Sequence, residues 1–505
     1  MTETHLEIET TFDVDADLAL PDLGEVDGVA SVVRVPTVRL VATYYDTADL
    51  RLLRSRVTLR RRTGGGDAGW HLKLPVAEGR LEVHLPLGRP ATRVPAELVS
   101  LTRCLARRSE LQVVARLTTW RSVERLLDDE GRVLAEVALD DVVADPVAAG
   151  ERREWRELEV ELVDGERALV DVIAGRLAAA GARPAAIQSK IVRALGRPAG
   201  EPSTDRPEAG RHGAGEPLTA GAVAVAYCRA QVDELFRVDP HVRLDADDAV
   251  HRMRVAARRL RSALATFRPV LDRRAGDPLR EELRWLGQAL GEARDLEVLA
   301  GRLAARLDQL SEKDASLVAE GAGEFLATEL GRRRERALAT AREALDSEWY
   351  LDLLDRLDTF CADPPLTRRA GQRARSILRP RLAADCRRVL DRAAVAARVD
   401  GPDHEAALHE VRKAAKRARY AAEAMRPVLG DAAARAQARM KRLQEVLGGR
   451  QDQVVARTVL TELARDVPDG QSFTFGVLAG IERVDVDMGS YARALRRARR
   501  AAQAV

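Results

Sequence analysis

Two segments of this 505-residue chain place one histidine and three cations at the same spacing. His251, Arg254, Arg258 and Arg261 fall at i, i+3, i+7 and i+10, which is one face of an α-helix, and His409, Arg412, Lys416 and Arg419 repeat that face. Like charges one turn apart cost a helix about 0.2–0.5 kcal/mol per pair, so such a stripe is unfavourable unless an anion meets it. Guanidinium and ammonium groups in a row suit an oxyanion polymer, and a histidine at the head adds a donor that responds to pH. Arg252, Arg259, Lys413 and Arg417 form a flanking row. An arginine-rich helix face is often merely solvated. Duplication of the charge positions favours binding, because a solvated face has no need to keep them in both copies.

A second set of chemistry-bearing residues lies on strand faces. Period-two alternation places Glu7, Glu9 and Thr11 together, and likewise Glu157, Glu159 and Glu161, so that two carboxylate rows are expected to face each other. Arg60 and Arg62 share another face, as do His71 with Lys73 and Glu82 with His84. A closed sheet with these faces inward would need a wet interior that holds metal and phosphate. Carboxylates suit Mg²⁺ or Mn²⁺, and Arg and Lys suit phosphate oxygens. Charges turned out to water give the same alternation, and patterning alone favours that reading.

The elements that would position these residues divide the chain in two. Gly196 to Pro217 is dense in Gly and Pro and has no apolar periodicity, which predicts a linker, taken as 198–217 between domains at 3–197 and 218–505. Short alternating segments such as Trp70-His-Leu-Lys-Leu precede it, with helices expected near Ala96 to Arg107 and Gly165 to Ala180: an α+β domain with a mainly antiparallel sheet. Ala, Leu, Arg and Glu dominate after it, so the second domain is expected to be all-α. It also repeats: the segment from His251 ends in Arg268-Pro-Val-Leu, and that from His409 in Arg426-Pro-Val-Leu. Each copy is followed by a related stretch, Leu286-Gly-Gln-Ala-Leu-Gly-Glu-Ala-Arg-Asp295 and Leu443-Gln-Glu-Val-Leu-Gly-Gly-Arg-Gln-Asp452, which predicts two pseudo-symmetric helical bundles. Asp245, Asp247 and Asp248 before one basic helix, and Asp403 and Glu405 before the other, are placed to cap them.

Composition narrows the function classes. The 82 basic residues nearly balance 79 acidic ones, so electropositivity has to be local. Aromatics make up only 4% and seldom interleave with the basic residues, which argues against base-stacking contacts to nucleic acid. Cys104, Cys228, Cys361 and Cys386 show no metal-binding spacing and are expected to be reduced core thiols. The acidic N-terminus has no apolar signal core, and no apolar run is long enough to span a bilayer, so a cytoplasmic location is expected.

At the paired helices and the Leu-Gly-x-x-Arg-Asp-like segment, the chain from about Leu218 onward resembles CHAD domains, the conserved histidine α-helical domains. That resemblance implies two four-helix bundles around a basic groove with inorganic polyphosphate as ligand, gripped by the eight stripe residues, and polyphosphate granules as a docking site. The second copy departs by placing Gln451 where the first has Arg294. Before the linker, Glu7-Ile-Glu9, Tyr45-Asp-Thr, Leu59-Arg-Arg-Arg, Trp70-His-Leu-Lys-Leu, Leu134-Ala-Glu-Val, Glu157-Leu-Glu-Val-Glu and Ser189-Lys190 occur in the order seen in CYTH domains of the triphosphate tunnel metalloenzymes. The resemblance implies an antiparallel β-barrel tunnel in which Glu7, Glu9, Glu136, Asp140, Glu159 and Glu161 handle Mg²⁺ or Mn²⁺. Arg60, Arg62, Lys73, Arg121 and Lys190 would hold phosphate, with Glu7 and Glu9 also in the catalytic set. Alternation from Arg116 puts Arg121 on the opposite face. The family's first strand reads Glu-x-Glu-x-Lys, and here the last position is Thr11. Two functions stay open: a polyphosphate-binding inorganic triphosphatase that cleaves triphosphate or polyphosphate ends, and a binding protein whose tunnel has lapsed.

Overall fold

Alternation of apolar and charged residues builds the first unit around one sheet. Its strands are β1 (Glu3–Glu7), β2 (Glu9–Asp13), β3 (Ser31–Asp46), β4 (Thr58–Thr63), β5 (Gly69–Val76), β6 (Gly79–Pro86), β7 (Gln112–Leu127), β8 (Val133–Pro146), β9 (Arg153–Leu162) and β10 (Arg183–Pro184). The order is β1-β6-β5-β4-β3-β7-β8-β9-β2-β10, antiparallel at every pairing. The computed structural model describes residues 3–504 except 16, 77–78, 89–92, 148–150, 197–217, 468–469 and 483–487; the expected linker therefore lies outside the described residues. The chain separates into two units, Met1–Arg206 and Pro207–Val505.

The ladder does not close through hydrogen bonds between β1 and β2, but only Ile8 separates them in the chain. Residues 3–13 thus carry both ends of the sheet, β1 against β6 and β2 against β9. Register then passes one face around the sheet: Glu82 opposite Lys73, His71 opposite Arg60, Arg60 opposite Tyr44, Ala42 opposite Leu117, Arg121 opposite Asp140, Asp140 opposite Glu157, and Glu9 opposite Glu161. Four helices accompany the sheet: α1 (Arg51–Arg54), α2 (Ala96–Ala106), α3 (Arg167–Ala179) and α4 (Lys190–Ala194). Val170, Ile173 and Leu177 of α3 pack on Phe12, Leu126, Val137, Leu158 and Val160, the opposite face. Ile191 and Ala194 of α4 instead pack with Ala42, Tyr44, Leu117, Val142 and Ala144, the same face that carries Arg121 and Asp140.

Apolar residues at helical spacing form α5 (Ala220–Arg243), α6 (Ala249–Thr266), α7 (Arg273–Ala289), α8 (Gly291–Lys313), α9 (Ala322–Asp346), α10 (Glu348–Ala362), α11 (Ala374–Ala396), α12 (Gly401–Ala424), α13 (Arg426–Asp466), α14 (Ser472–Ile481) and α15 (Met488–Ala504). The repeat is visible in the packing. Met253, Ala256, Ala257 and Leu260 of α6 are buried, and so are Val411, Ala414, Ala415 and Ala418 at the equivalent positions of α12. Cys228 of α5 and Cys386 of α11 are likewise equivalent and wholly buried, and all four cysteines are unbridged. The copies are interlocked: Leu299 and Leu303 of α8 and Leu326 and Leu330 of α9 share a core with Leu460 of α13 and Phe475 of α14. Among the described residues no helix is long and apolar enough to cross a membrane.

The expected acidic caps are not realised as such. Asp248 precedes α6 with φ 55° and makes no side-chain cap, while Asp245 pairs with Arg334 of α9 at 2.5 Å. Asp403 lies inside the first turn of α12, where its charge opposes the helix dipole without capping.

Candidate functional site

In the first unit the inward face gathers acids and bases into pairs. Lys73 Nζ lies 2.6 Å from Glu7 and 3.6 Å from Glu9. Glu82, which accepts a hydrogen bond from His71 Nδ1 at 2.8 Å, stands 4.0 Å from Arg60. Burial, with Glu82 and Glu9 close by, holds the Glu7 carboxyl up at about 8 in spite of Lys73. Burial, with Arg60 and Arg62 beside it, pushes His71 down to about 4 and keeps its ring neutral. Among the described residues Arg62 pairs only with Asp67, a residue on the exposed β4–β5 turn; burial together with Arg60 and Arg121 pushes it down to about 9.

The other group centres on Asp140, Glu157 and Glu159, whose oxygens lie within 4.8 Å of one another. Lys190 Nζ, reaching in from the start of α4, is 3.0 Å from Asp140, 2.6 Å from Glu157 and 2.5 Å from Glu159. Arg121 donates to both Asp140 oxygens, at 2.8 and 2.6 Å, and to Glu159 at 2.5 Å. Arg121 and Arg116 do lie on opposite faces, and it is Arg116 that is turned outward. An all-oxygen set suits a hard divalent cation, and the ammonium already seated there shows that the three carboxylates accept a positive charge at their centre. A second group, His5, Glu7 and Glu82, offers nitrogen as well as oxygen.

The two carboxylate rows expected to face one another are instead lateral neighbours, because β2 pairs with β9 and sets Glu9 beside Glu161 and Thr11 beside Glu159. Glu136 is cross-strand to Glu161 but pairs with half-exposed Arg125 at 2.8 Å, apart from the Asp140 group. Glu157 and Glu82, left out of the expected ligand set, are central. Their signal was present, since Glu157 shares the period of Glu159 and Glu161, but only register shows that Glu82 returns to Lys73.

In the second unit α6 and α12 bring their stripes together. Burial, with Arg258, Arg412, Arg419 and Arg254 around it, pushes Lys416 down to about 8, so cations from both copies converge on one place. Arg258 donates to the Tyr420 hydroxyl at 2.9 Å. Arg254 donates to the Gly291 carbonyl and stands 3.1 Å from Asp295. The second copy repeats this seat: a Cβ added at the equivalent Gly448 would lie 3.2 Å from Arg412. Among the described residues no carboxylate comes within 4.0 Å of Arg258, Arg261, Arg412, Lys416 or Arg419. The flanking row is different: Arg252 pairs with Glu234 at 3.3 Å, Arg259 with Glu423 at 2.8 Å, Lys413 with Glu410 at 2.5 Å and Arg417 with Asp385 at 3.1 Å. The histidines differ, His251 being half-buried near Arg294 and His409 exposed. The side chain of Gln451 lies outside the described residues.

Comparisons with known proteins agree with this division. The CYTH domain model matches residues 5–183 and the CHAD domain model residues 226–461. An uncharacterised protein of Mycobacterium tuberculosis is 38% identical over 501 residues, which spans 94% of this chain and 92% of the relative. Among solved structures, the chain is similar to PptA from Streptomyces chartreusis, at 26% identity over 56% of this chain and 99% of that one, with a TM-score of 0.44. The CHAD domain from the plant Ricinus communis is also similar, at 26% identity over 55% of this chain and 92% of that one, with a TM-score of 0.45. The chain therefore belongs to the CYTH and CHAD families, with a domain of the triphosphate-tunnel family followed by a CHAD domain.

Proposed function

We propose that the second unit grips inorganic polyphosphate between α6 and α12 and that the first hydrolyses triphosphate or a short polyphosphate end in its charged interior. The observation that carries this reading is the convergence of Arg258, Arg412 and Arg419 on Lys416, four stripe cations that have no carboxylate partner among the described residues, while the flanking cations are paired. Uncompensated, half-buried cations are unfavourable until an anion meets them, and a linear polyanion meets several at once.

In the first unit Arg60, Arg62 and Lys73 would bind phosphate oxygens, with Arg62 the least neutralised of them. Asp140, Glu157 and Glu159, with Glu7, Glu9 and Glu161 on neighbouring strands, would hold Mg²⁺ or Mn²⁺. When bound, such an ion supplies charge neutralisation at the scissile phosphate and a lowered water pKa. Arg121 positions Asp140 and Glu159, and α4 closes the apolar end of the same face against water.

The second reading, a polyphosphate-binding protein without turnover, is favoured by Thr11. It is buried opposite Glu159 and leaves that strand one cation short of the family pattern. Phosphate release from tripolyphosphate with Mg²⁺ or Mn²⁺ separates the two. Release by the native chain that is lost in Glu7→Ala/Glu9→Ala supports hydrolysis. No release by the native chain, with a gain in Thr11→Lys, leaves binding alone.

A further inference from the structure

The two copies of the helical repeat differ at one junction, and the difference leaves charge uncompensated on one side. In the first copy Arg259 of α6 meets Glu423 of α12 at 2.8 Å, and Glu423 also accepts from the Tyr227 hydroxyl of α5 at 3.1 Å. The pseudo-equivalent junction joins Arg417 of α12, residue 265 of α6 and residue 385 of α11. There Ala265 stands in the place of Glu423, and Asp385 in the place of Tyr227.

Asp385 does not simply move the missing carboxylate. It is 1% exposed, neither of its oxygens has a hydrogen bond, and three guanidinium groups share it: Arg417 at 3.1 Å, Arg388 at 3.5 Å and Arg381 at 3.7 Å. The positions equivalent to Arg381 and Arg388 in the first copy are Val223 and Ala230, so the cluster is peculiar to the second. Arg381 also donates to the backbone carbonyl of Ala265 itself at 3.4 Å, which brings its guanidinium beside the position that carries a glutamate in the other copy. The carboxylate lies beneath while the guanidinium groups remain 21–41% exposed above it. Burial, with Arg381, Arg388 and Arg268 nearby, pushes Arg417 down to about 10 despite Asp385. Three positive charges over one negative leave an excess that a doubly charged tetrahedral oxyanion would match, and forked guanidinium groups suit its geometry.

We propose that Arg381, Arg388 and Arg417, fanned over Asp385 where α6, α11 and α12 meet, form a binding site for a phosphate-class oxyanion in the second copy alone. Its three arginines are not stripe residues, and the site does not depend on the stripes' ligand. Its oxyanion is either orthophosphate or the terminal phosphate of a longer chain.

The test is calorimetric titration of the full-length chain with orthophosphate at low ionic strength, without divalent metal. Two variants are compared: Arg381→Gln/Arg388→Gln, which removes donors, and Ala265→Glu, which restores the first copy's carboxylate and leaves every arginine in place. Both are expected to lose at least tenfold in orthophosphate affinity. Should the arginine variant fail to fold, Ala265→Glu decides alone. Orthophosphate binding by folded Ala265→Glu equal to that of the native chain overturns the proposal. A parallel titration with long-chain polyphosphate separates the sources: retained affinity assigns the site to orthophosphate, and a matching loss assigns it to a chain terminus. The same comparison in an Arg258→Ala/Lys416→Ala background, which removes groove cations that would also take orthophosphate, is expected to show the same tenfold loss on Ala265→Glu, so the two readings fail separately.

Discussion

Lys416 offers the sharpest test of the groove, because its protonation must change when a polyanion arrives. Burial and four arginines push it down to about 8, from an ordinary 10.5. A bound polyanion replaces that repulsion with attraction and returns the ammonium towards its ordinary value. The sign follows from linkage: the ligand prefers the protonated form, so affinity is greatest below pH 8 and declines as pH rises from 8 towards 10.5. With those two limits, affinity at pH 9.5 should be about 30-fold lower than at pH 7, a difference of about 2 kcal/mol. The assay is a titration of long-chain polyphosphate at constant ionic strength across that range, with Lys416→Arg alongside. Arginine keeps its charge throughout, so the variant should bind with a nearly flat profile. Parallel decline of the native chain and the variant would refute the reasoning, since the loss would then belong to some other group.

Three further outcomes follow from the geometry. Glu7, held up at about 8, must lose its proton to join a cation site, so Mn²⁺ affinity should rise up to about tenfold per pH unit below pH 8 and then level; Glu7→Gln should abolish the slope in a calorimetric series. Lys190→Met would strip the ammonium from Asp140, Glu157 and Glu159 and should destabilise the first unit by about 3–5 kcal/mol in denaturant unfolding, with Mn²⁺ restoring much of it. No rescue by Mn²⁺ would count against these carboxylates as a metal seat. Tyr350→Phe removes the hydroxyl that donates to buried Asp239 at 2.9 Å and should cost the helical unit about 1–3 kcal/mol, with unchanged polyphosphate binding.

Much of this architecture is written in local patterns, and the rest depends on register. The repeat, the period-two faces and the break before Pro217 follow from residue spacing alone, because helices and strands impose fixed periods on the chain. The long strands β3 and β7 are harder to read. The first half of β3 is exposed at most positions, and bulges at Val35/Val38 and Tyr44/Tyr45 interrupt its pairing, so its pattern loses period two. Arg121 shows the limit most clearly. Alternation correctly separates it from Arg116, but which of the two points inward is decided by pairing with Asp140 on a strand 19 residues away. The inward turn of Lys190 similarly depends on where the short helix α4 packs. In the second unit each stripe is legible by itself; that the two stripes converge is a tertiary fact.

The structure also separates arginines whose charge is neutralised from arginines whose charge is not, by the kind of acceptor that orients them. Arg243 is tied to Asp239 at 2.7 Å and to Asp346 at 2.5 Å, and Arg302 and Arg306 converge on the buried carboxylate of Glu482. Each of these is neutralised where it stands, and its charge is spent on the fold. Arg258 is held by a tyrosine hydroxyl, and Arg254 by a backbone carbonyl with a mostly exposed aspartate beyond it. Neutral acceptors fix a guanidinium group without cancelling its charge, so the Coulombic attraction would remain for an incoming anion while part of the ordering cost is already met. Arginine counts per helix are blind to this distinction. In the flanking row Arg259 falls on the bracing side, and Arg417, which shares Asp385 with Arg381 and Arg388, is only partly neutralised.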